Sequence, residues 1–198
     1  MKQLHILILI FFSSLNLCAQ NQIGTPQIIN YTNISYKAGT QNWDTGQDKF
    51  GIMYFGNNEG LLSFDGKFWN LYSLPNKTVV RSLEIGPDGK IYVGGQDELG
   101  YFFPAENGKL VYHSLKELLP KNERQFADVW NISIINGQVF FRTLSKIMRL
   151  KDNTLTIIKA DEEWVFLGGA GNQLYAQERK RGLVTYSKGT WTTISQDP

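Results

Sequence analysis

Short apolar runs alternate with polar loops along this chain, and the whole pattern returns four times at a spacing of about forty residues. The core runs are Ile52-Met53-Tyr54-Phe55, Ile91-Tyr92-Val93, Val139-Phe140-Phe141 and Leu174-Tyr175-Ala176. A polar loop follows each. A second apolar run comes next: Gly60 to Phe64, Gly100 to Phe103, Lys146 to Leu150 and Gly182 to Tyr186. Then comes a turn (Asp65-Gly66, Asn107-Gly108, Asp152-Asn153, Lys188-Gly189) and, two residues later, a large apolar side chain: Phe68, Leu110, Leu155 or Trp191. With Tyr54, Tyr92, Phe140 and Tyr175 as markers, the spacings are 38, 48 and 35 residues. Strand-like segments at such a period predict an all-β fold, a β-propeller built of four-stranded antiparallel blades.

Each unit also carries a leading segment: Trp43 to Thr45, Val80 to Ile85, Val129 to Ile134 and Trp164 to Leu167. That makes four short strands per unit, A to D, over 41–75, 79–119, 126–160 and 162–195. Gly86-Pro87-Asp88-Gly89, Asn136-Gly137 and Gly171-Asn172 join A to B, and such residues accept the positive φ of tight hairpin turns. Strand B is apolar on consecutive residues, as expected for a strand buried on both faces between stacked blades. Strand D is mixed, as in Lys109 to His113, and is expected at the half-exposed outer edge. Gln27 to Thr32 reads as one further strand within a 20–40 segment, with ring closure as its expected role. Ser114 to Leu119, stopped by Pro120, reads as a short helix that explains the longest spacing. Closed rings usually hold four to eight blades, so the four units are expected to be part of a larger propeller, with a self-contained ring as the alternative.

The N-terminus predicts a secretory signal over 1–19: Lys2, an apolar stretch from Leu4 to Phe12, and Ala19 as the last residue before cleavage. The stretch is shorter than the ~20 residues that span a bilayer, which makes a retained anchor the weaker reading. Leu17 disfavours lipidation of Cys18, the single cysteine. A chain cut after Ala19 carries no thiol. The predicted location is periplasmic.

Twenty basic and eighteen acidic residues give a net charge of +2 with both signs scattered. No nucleic-acid surface is indicated. Chemistry for catalysis is sparse. The two histidines are His5 and His113, too few for the usual zinc sets once His5 is lost with the signal. The neighbouring pairs Asp97-Glu98 and Glu162-Glu163 point to opposite faces of a strand, which does not suit a glycosidase couple. No cofactor and no catalytic residue is expected. Binding residues are expected on the face that carries the B–C and D–A loops, because strands that hold variable loops make recognition surfaces. Asn42, Trp43, Asn57, Glu59, Arg81, Gln96, Glu98, Trp130 and Arg179 form that set. Amides and carboxylates beside Trp43 and Trp130 suit a sugar, whose hydroxyls hydrogen-bond while its apolar side lies on an aromatic ring. Blade packing for the tryptophans, and loop hydrogen bonding for Asn57 and Gln96, are the competing readings.

The stretch Gln41-Asn42-Trp43, Gly51 to Asn57, Gly60-Leu61-Leu62, Phe64-Asp65-Gly66 and Trp69 resembles the two-component-regulator propeller repeat. So does Gly89 to Gly95. The third unit departs most, with Arg142-Thr143 where the repeat has a glycine-containing loop. Signal and repeat both resemble those of Bacteroidetes proteins. The resemblance implies the extracytoplasmic sensor part of a membrane-spanning regulator, followed by a triple-tyrosine domain, a membrane helix and a histidine-kinase or helix-turn-helix output module. It also implies an oligosaccharide as ligand, since some members sense glycan fragments. It transfers no catalytic residue. The expected function is therefore non-catalytic sensing. A secreted polysaccharide lyase or glycosidase, or a protein-docking propeller, is the alternative, and a homodimer is left open.

Overall fold

The computed structural model describes residue 24 and residues 28–195. The chain divides into two compact units, 1–30 and 31–198. The signal-sequence expectation lies outside the described residues. Residues 28–32 carry no strand, against the extended element expected over Gln27 to Thr32, of which Gln27 is not described. Asn33–Tyr36 instead makes one helical turn, ended by Lys37 in the left-handed region.

Sixteen strands follow among the described residues, in four antiparallel sheets with chain-order connectivity. The first blade holds β1 (Asn42–Gln47), β2 (Met53–Asn57), β3 (Gly60–Phe64) and β4 (Trp69–Tyr72). The second holds β5 (Val80–Ile85), β6 (Ile91–Gly95), β7 (Glu98–Pro104) and β8 (Leu110–Ser114). The third holds β9 (Asn131–Ile135), β10 (Gln138–Arg142), β11 (Lys146–Lys151) and β12 (Thr154–Lys159). The fourth holds β13 (Trp164–Ala170), β14 (Gln173–Glu178), β15 (Gly182–Ser187) and β16 (Thr190–Ser195). The first strands of successive blades adjoin one another, β1 to β5, β5 to β9 and β9 to β13. This is the arrangement of propeller blades radiating from their innermost strands.

The turns explain why the meander forms. Asn136-Gly137, Asp152-Asn153 and Lys188-Gly189 all have positive φ at both central residues, as a two-residue hairpin of the primed type demands. The first blade differs. Its outer hairpin pairs Phe64 with Trp69, and the intervening loop is pinned by Asp65, whose Oδ1 accepts from the Lys67 and Phe68 amides at 2.9 and 2.6 Å. Phe68 therefore stays in the turn, 58% exposed. Trp69, not Phe68, takes the packing role expected of the residue after this turn, and it stacks on Phe64 with ring centroids 4.3 Å apart. Tyr31 and Tyr36 close over Trp69 at 5.3 and 5.5 Å.

Three apolar clusters fill the spaces between blades. Tyr54, Leu61, Leu83 and Val93 lie between the first and second. Leu99, Val129, Phe141 and Met148 lie between the second and third. Phe140, Leu167, Leu174 and Val184 lie between the third and fourth. Polar links cross the same spaces: Leu83 N–H donates to Asp44 Oδ2 at 2.9 Å, Ser82 Oγ to the Val129 carbonyl at 2.8 Å, and Arg149 Nη1 to Tyr186 Oη at 2.6 Å. Every residue of β6 is buried, and so are four of the five in β10, as two-sided packing requires. In β14 buried and half-buried residues alternate. One face of that strand packs on the third blade, while the other carries Tyr175 and Gln177 beside Phe166, 46% exposed.

In place of the helix expected over Ser114 to Leu119 stands one 3-10 turn, Lys116–Leu118, and a second, Lys121–Glu123, follows Pro120. Pro120 forces Leu119 into an extended conformation, which stops the first turn before an α-helix can propagate. Leu115, Leu119 and Phe126 anchor this connection in the second core cluster. Glu123 ties it to the third blade by pairing with Lys146 and Lys159. Hydrogen bonds from those two ammonium groups hold the Glu123 carboxyl down at about 2. A carboxyl lowered on folding contributes stability above its unfolded value, and that contribution fades as pH falls toward the folded one. The urea midpoint of Glu123→Gln is therefore expected below that of the parent at neutral pH. The two should converge as pH drops from about 5 to about 2; parallel profiles across that window would contradict the assignment.

Candidate functional site

Strand starts, not strand bodies, carry the exposed chemistry on the loop face. In β1 the register shifts between Asn42 and Asp44, and in β5 between Val80 and Ser82. Trp43 and Arg81 are thus the extra residues of two β-bulges, at the same place in two successive blades. A bulge re-aims the side chain it carries. Trp130 stands just ahead of β9, its amide donating to the Arg142 carbonyl at 2.8 Å.

These three side chains meet across three blades. The Arg81 guanidinium carbon lies 3.9 Å from the Trp43 ring centre and 5.1 Å from that of Trp130. The two indoles stand edge to face at 6.2 Å. Arg81 Nε also donates to Asp128 Oδ1 at 3.2 Å, with both side chains about one-fifth exposed. Trp43 Nε1 donates to Asn58 Oδ1 at 2.7 Å and remains 39% exposed. A cation between two aromatic faces is held by their quadrupoles and by its ion pair together, so the cluster is pre-set. A depression of about 430 Å3 adjoins it, lined by Phe126, Asp128, Trp130 and Leu144 among others.

The other residues expected on this face have different surroundings. Asn57 is fully buried; its amide donates to the Gly39 carbonyl and to Asn42 Oδ1, and its oxygen accepts from the Glu59 amide. Glu59 itself is exposed, its carbonyl accepting from Ser73 Oγ. Glu98 is buried at the head of β7, where one carboxylate oxygen accepts from Ser114 Oγ at 2.6 Å and Tyr112 Oη at 3.1 Å. Burial and that carboxylate raise the Tyr112 hydroxyl far above the usual phenol range. Gln96 is exposed; its carbonyl accepts from Asn76, and its backbone bridges to Asp128. Arg179 pairs with Glu163 at 2.7 Å in the fourth blade. The structure thus brings Trp43, Arg81 and Trp130 together, sets Asn42, Asn57 and Glu59 in the neighbouring first-blade loop, and leaves Arg179 apart from them.

Asp128 and Asn58 complete the cluster and were not among the residues expected from sequence. Asp128 stands two residues ahead of Trp130, in the connection that leads into a first strand. That is the position class that had marked Asn42 and Trp43, and it is the signal that finds Asp128.

Polar anchors beneath the rim have fixed partners. Arg142 is 5% exposed and donates from Nε to Asn131 Oδ1 at 2.7 Å and from Nη1 to the Trp164 carbonyl at 2.5 Å. Burial lowers its guanidinium to about 10, still cationic at neutral pH. The two oxygens of Glu178 accept from the Glu162 and Arg181 amides. Along the inner strands, burial first and the Asp44 charge second raise the Glu84 carboxyl above its ordinary value. His113 lies on the outer strand β8, stacked on Tyr101 at 5.0 Å. Among the described residues no group of three His, Cys, Asp or Glu is placed to hold a metal. The rim offers stacking faces, a guanidinium and amide groups.

No family model matches the chain, and no curated protein does. Solved structures do. The extracellular domain assigned to a hybrid two-component system of B. thetaiotaomicron matches with a TM-score of 0.61 and 19% identity, covering 82% of this chain and 22% of that one. A second such domain from the same organism matches at 0.57 and 17%, covering 78% and 22%. A catalytically inactive virginiamycin B lyase from Staphylococcus aureus, solved with quinupristin, matches at 0.62 and 18%, covering 87% and 60%. The chain spans about a fifth of the length of the B. thetaiotaomicron extracellular domains it resembles. These likenesses establish the propeller fold.

Proposed function

We propose that this chain is an extracytoplasmic ligand-sensing region of a propeller, non-catalytic, and part of a membrane-spanning signal-transduction regulator. Its ligand is a glycan fragment bound at the loop-face rim. One observation carries the reading: Arg81 is held between Trp43 and Trp130 at the point where three blades converge, with Trp43 left open to solvent. A sugar ring placed on Trp43 would exchange water for an aromatic face, while Arg81, Asn58 and Asp128 lie within the same cluster to meet its hydroxyls. Because the cluster draws on β1, β5 and the approach to β9, a ligand there favours one relative arrangement of the blades, and sensing follows from that difference in affinity. The likeness to extracellular domains assigned to hybrid two-component systems supports this role; triple-tyrosine, membrane and output modules are the proposed further parts of the full protein.

A thermal-shift screen against an oligosaccharide panel tests it. A cognate sugar at roughly a hundredfold its Kd should raise Tm by roughly 5–10 °C. Trp43→Ala should remove at least about 2 kcal/mol of binding, roughly thirtyfold in affinity. Silence across a broad panel would favour a docking propeller. Glycan turnover lost on Glu59→Gln or Glu98→Gln would favour an enzyme.

A further inference from the structure

A second, well-formed cleft lies away from the rim. It opens on the opposite face, where the A–B and C–D turns gather, between the first and second blades, with a volume of about 640 Å3. That size lies in the range of small-molecule sites. Its floor is apolar and comes from both blades: Ile52 from the first, and Ile85, Ile91 and Leu110 from the second. Pro87 and Pro104 stiffen the lips.

Three polar groups that line the cleft are open to solvent and free to meet a ligand. Ser63 is 6% exposed, and its hydroxyl makes no hydrogen bond among the described residues. The Tyr72 hydroxyl and the Asn70 amide, two further lining groups, make none either. Water reaches these groups, and a ligand hydroxyl or amide can replace it there.

Charge narrows the ligand class. Asp48 is already engaged: Oδ1 accepts from the Phe50 and Ile52 amides, and Oδ2 from Tyr54 Oη at 3.2 Å. Asp65 is engaged through Oδ1 only, and those amide bonds keep its carboxyl ionised by lowering it below its ordinary value. Lys49, the single cationic residue lining the cleft, lies over the Phe50 ring at 5.1 Å. Two carboxylates against one ammonium disfavour an anionic ligand and favour a cationic head.

We propose that this cleft is a second ligand site, for a small amphipathic amine. Its apolar or aromatic body rests on Ile85, Ile91 and Leu110, its ammonium faces Asp65, and a hydroxyl meets Ser63 or Tyr72. The site is independent of the rim, so either can fail alone.

Three near-isosteric probes test it by heteronuclear NMR titration of the chain: tyramine, neutral tyrosol and anionic 4-hydroxyphenylacetate. Tyramine should bind roughly tenfold more tightly than tyrosol, and the acid should not bind. Shift changes should centre on the amides of Ser63, Tyr72, Ile85 and Ile91. Tyr72→Phe should weaken tyramine several-fold, and Leu110→Trp, which fills the cleft, should abolish binding while leaving oligosaccharide binding at Trp43 intact. No binding by any probe up to millimolar concentration would overturn the proposal. So would equal binding of all three, or shifts centred elsewhere in the parent chain; this last readout stands even if Leu110→Trp fails to fold.

Discussion

Phe141→Ala is expected to lower the unfolding free energy by about 3–5 kcal/mol, read as a fall in the urea midpoint. Phe141 has no exposed surface. It sits in β10 and projects into the cluster between the second and third blades, its ring 6.3 Å from that of Tyr92 at 67°. The adjacent Phe140 faces the other way, into the cluster shared with the fourth blade, 5.3 Å from Tyr186. Two consecutive aromatic residues on one strand thus hold two different blade interfaces. Phe140→Ala should cost a similar amount. The double variant should come close to the sum of the singles, because the two rings share few neighbours. Phe68→Ala, at an exposed turn position, should move stability by less than about 0.5 kcal/mol. A small loss for Phe141→Ala would contradict the stacking of blades on both faces of β10.

Gly60→Ala is the second large loss expected. Gly60 opens β3 with φ +135°, and a Cβ there would sit 2.3 Å from the Tyr72 carbonyl oxygen and 2.9 Å from Ser73 Cα. Both are backbone atoms, at the end of β4 and one residue beyond it, so no side chain can swing away. Backbone strain adds to the clash, and about 1–3 kcal/mol or more is expected. Gly66→Ala is the control. Its φ is also positive, at +93°, but nothing lies within 4 Å of the added methyl. Only conformational strain then applies, on the order of 1 kcal/mol. Equal losses at the two glycines, measured by thermal or urea unfolding, would mean that the close approach of β3 to the Tyr72–Ser73 backbone is not what makes Gly60 necessary.

The propeller was legible because its signals are local. Unbroken apolar runs such as Ile91-Tyr92-Val93, bounded by turn residues, read as buried strands, and Asn136-Gly137 or Lys188-Gly189 marks the tight turn between two of them. Features that depend on turn length or on a neighbour's backbone were harder to read. Phe68 and Trp69 are adjacent and equally apolar. Only the hydrogen bonds of Asp65, which lengthen the turn, decide that Trp69 packs. Ser114 to Leu119 has helix-forming composition, but Pro120 acting on Leu119 leaves room for a single tight turn. Trp43, Arg81 and Trp130 each drew notice as residues at the start of an inner strand. Nothing within any one repeat says that they meet, because the meeting depends on how far each blade rotates from the next. The cleft around Ser63 was illegible for the same reason. Its walls come from two blades, and the tight turns at its mouth carry no binding signal within any one repeat.

Hydrogen–deuterium exchange with and without a bound oligosaccharide tests the central claim most directly. Protection confined to the starts of β1 and β5 and to the approach to β9, and absent in Trp43→Ala, is the result this account predicts. Protection at the turns around Asp48 and Pro87, or along the outer strands β4, β8, β12 and β16, would place recognition elsewhere and contradict it.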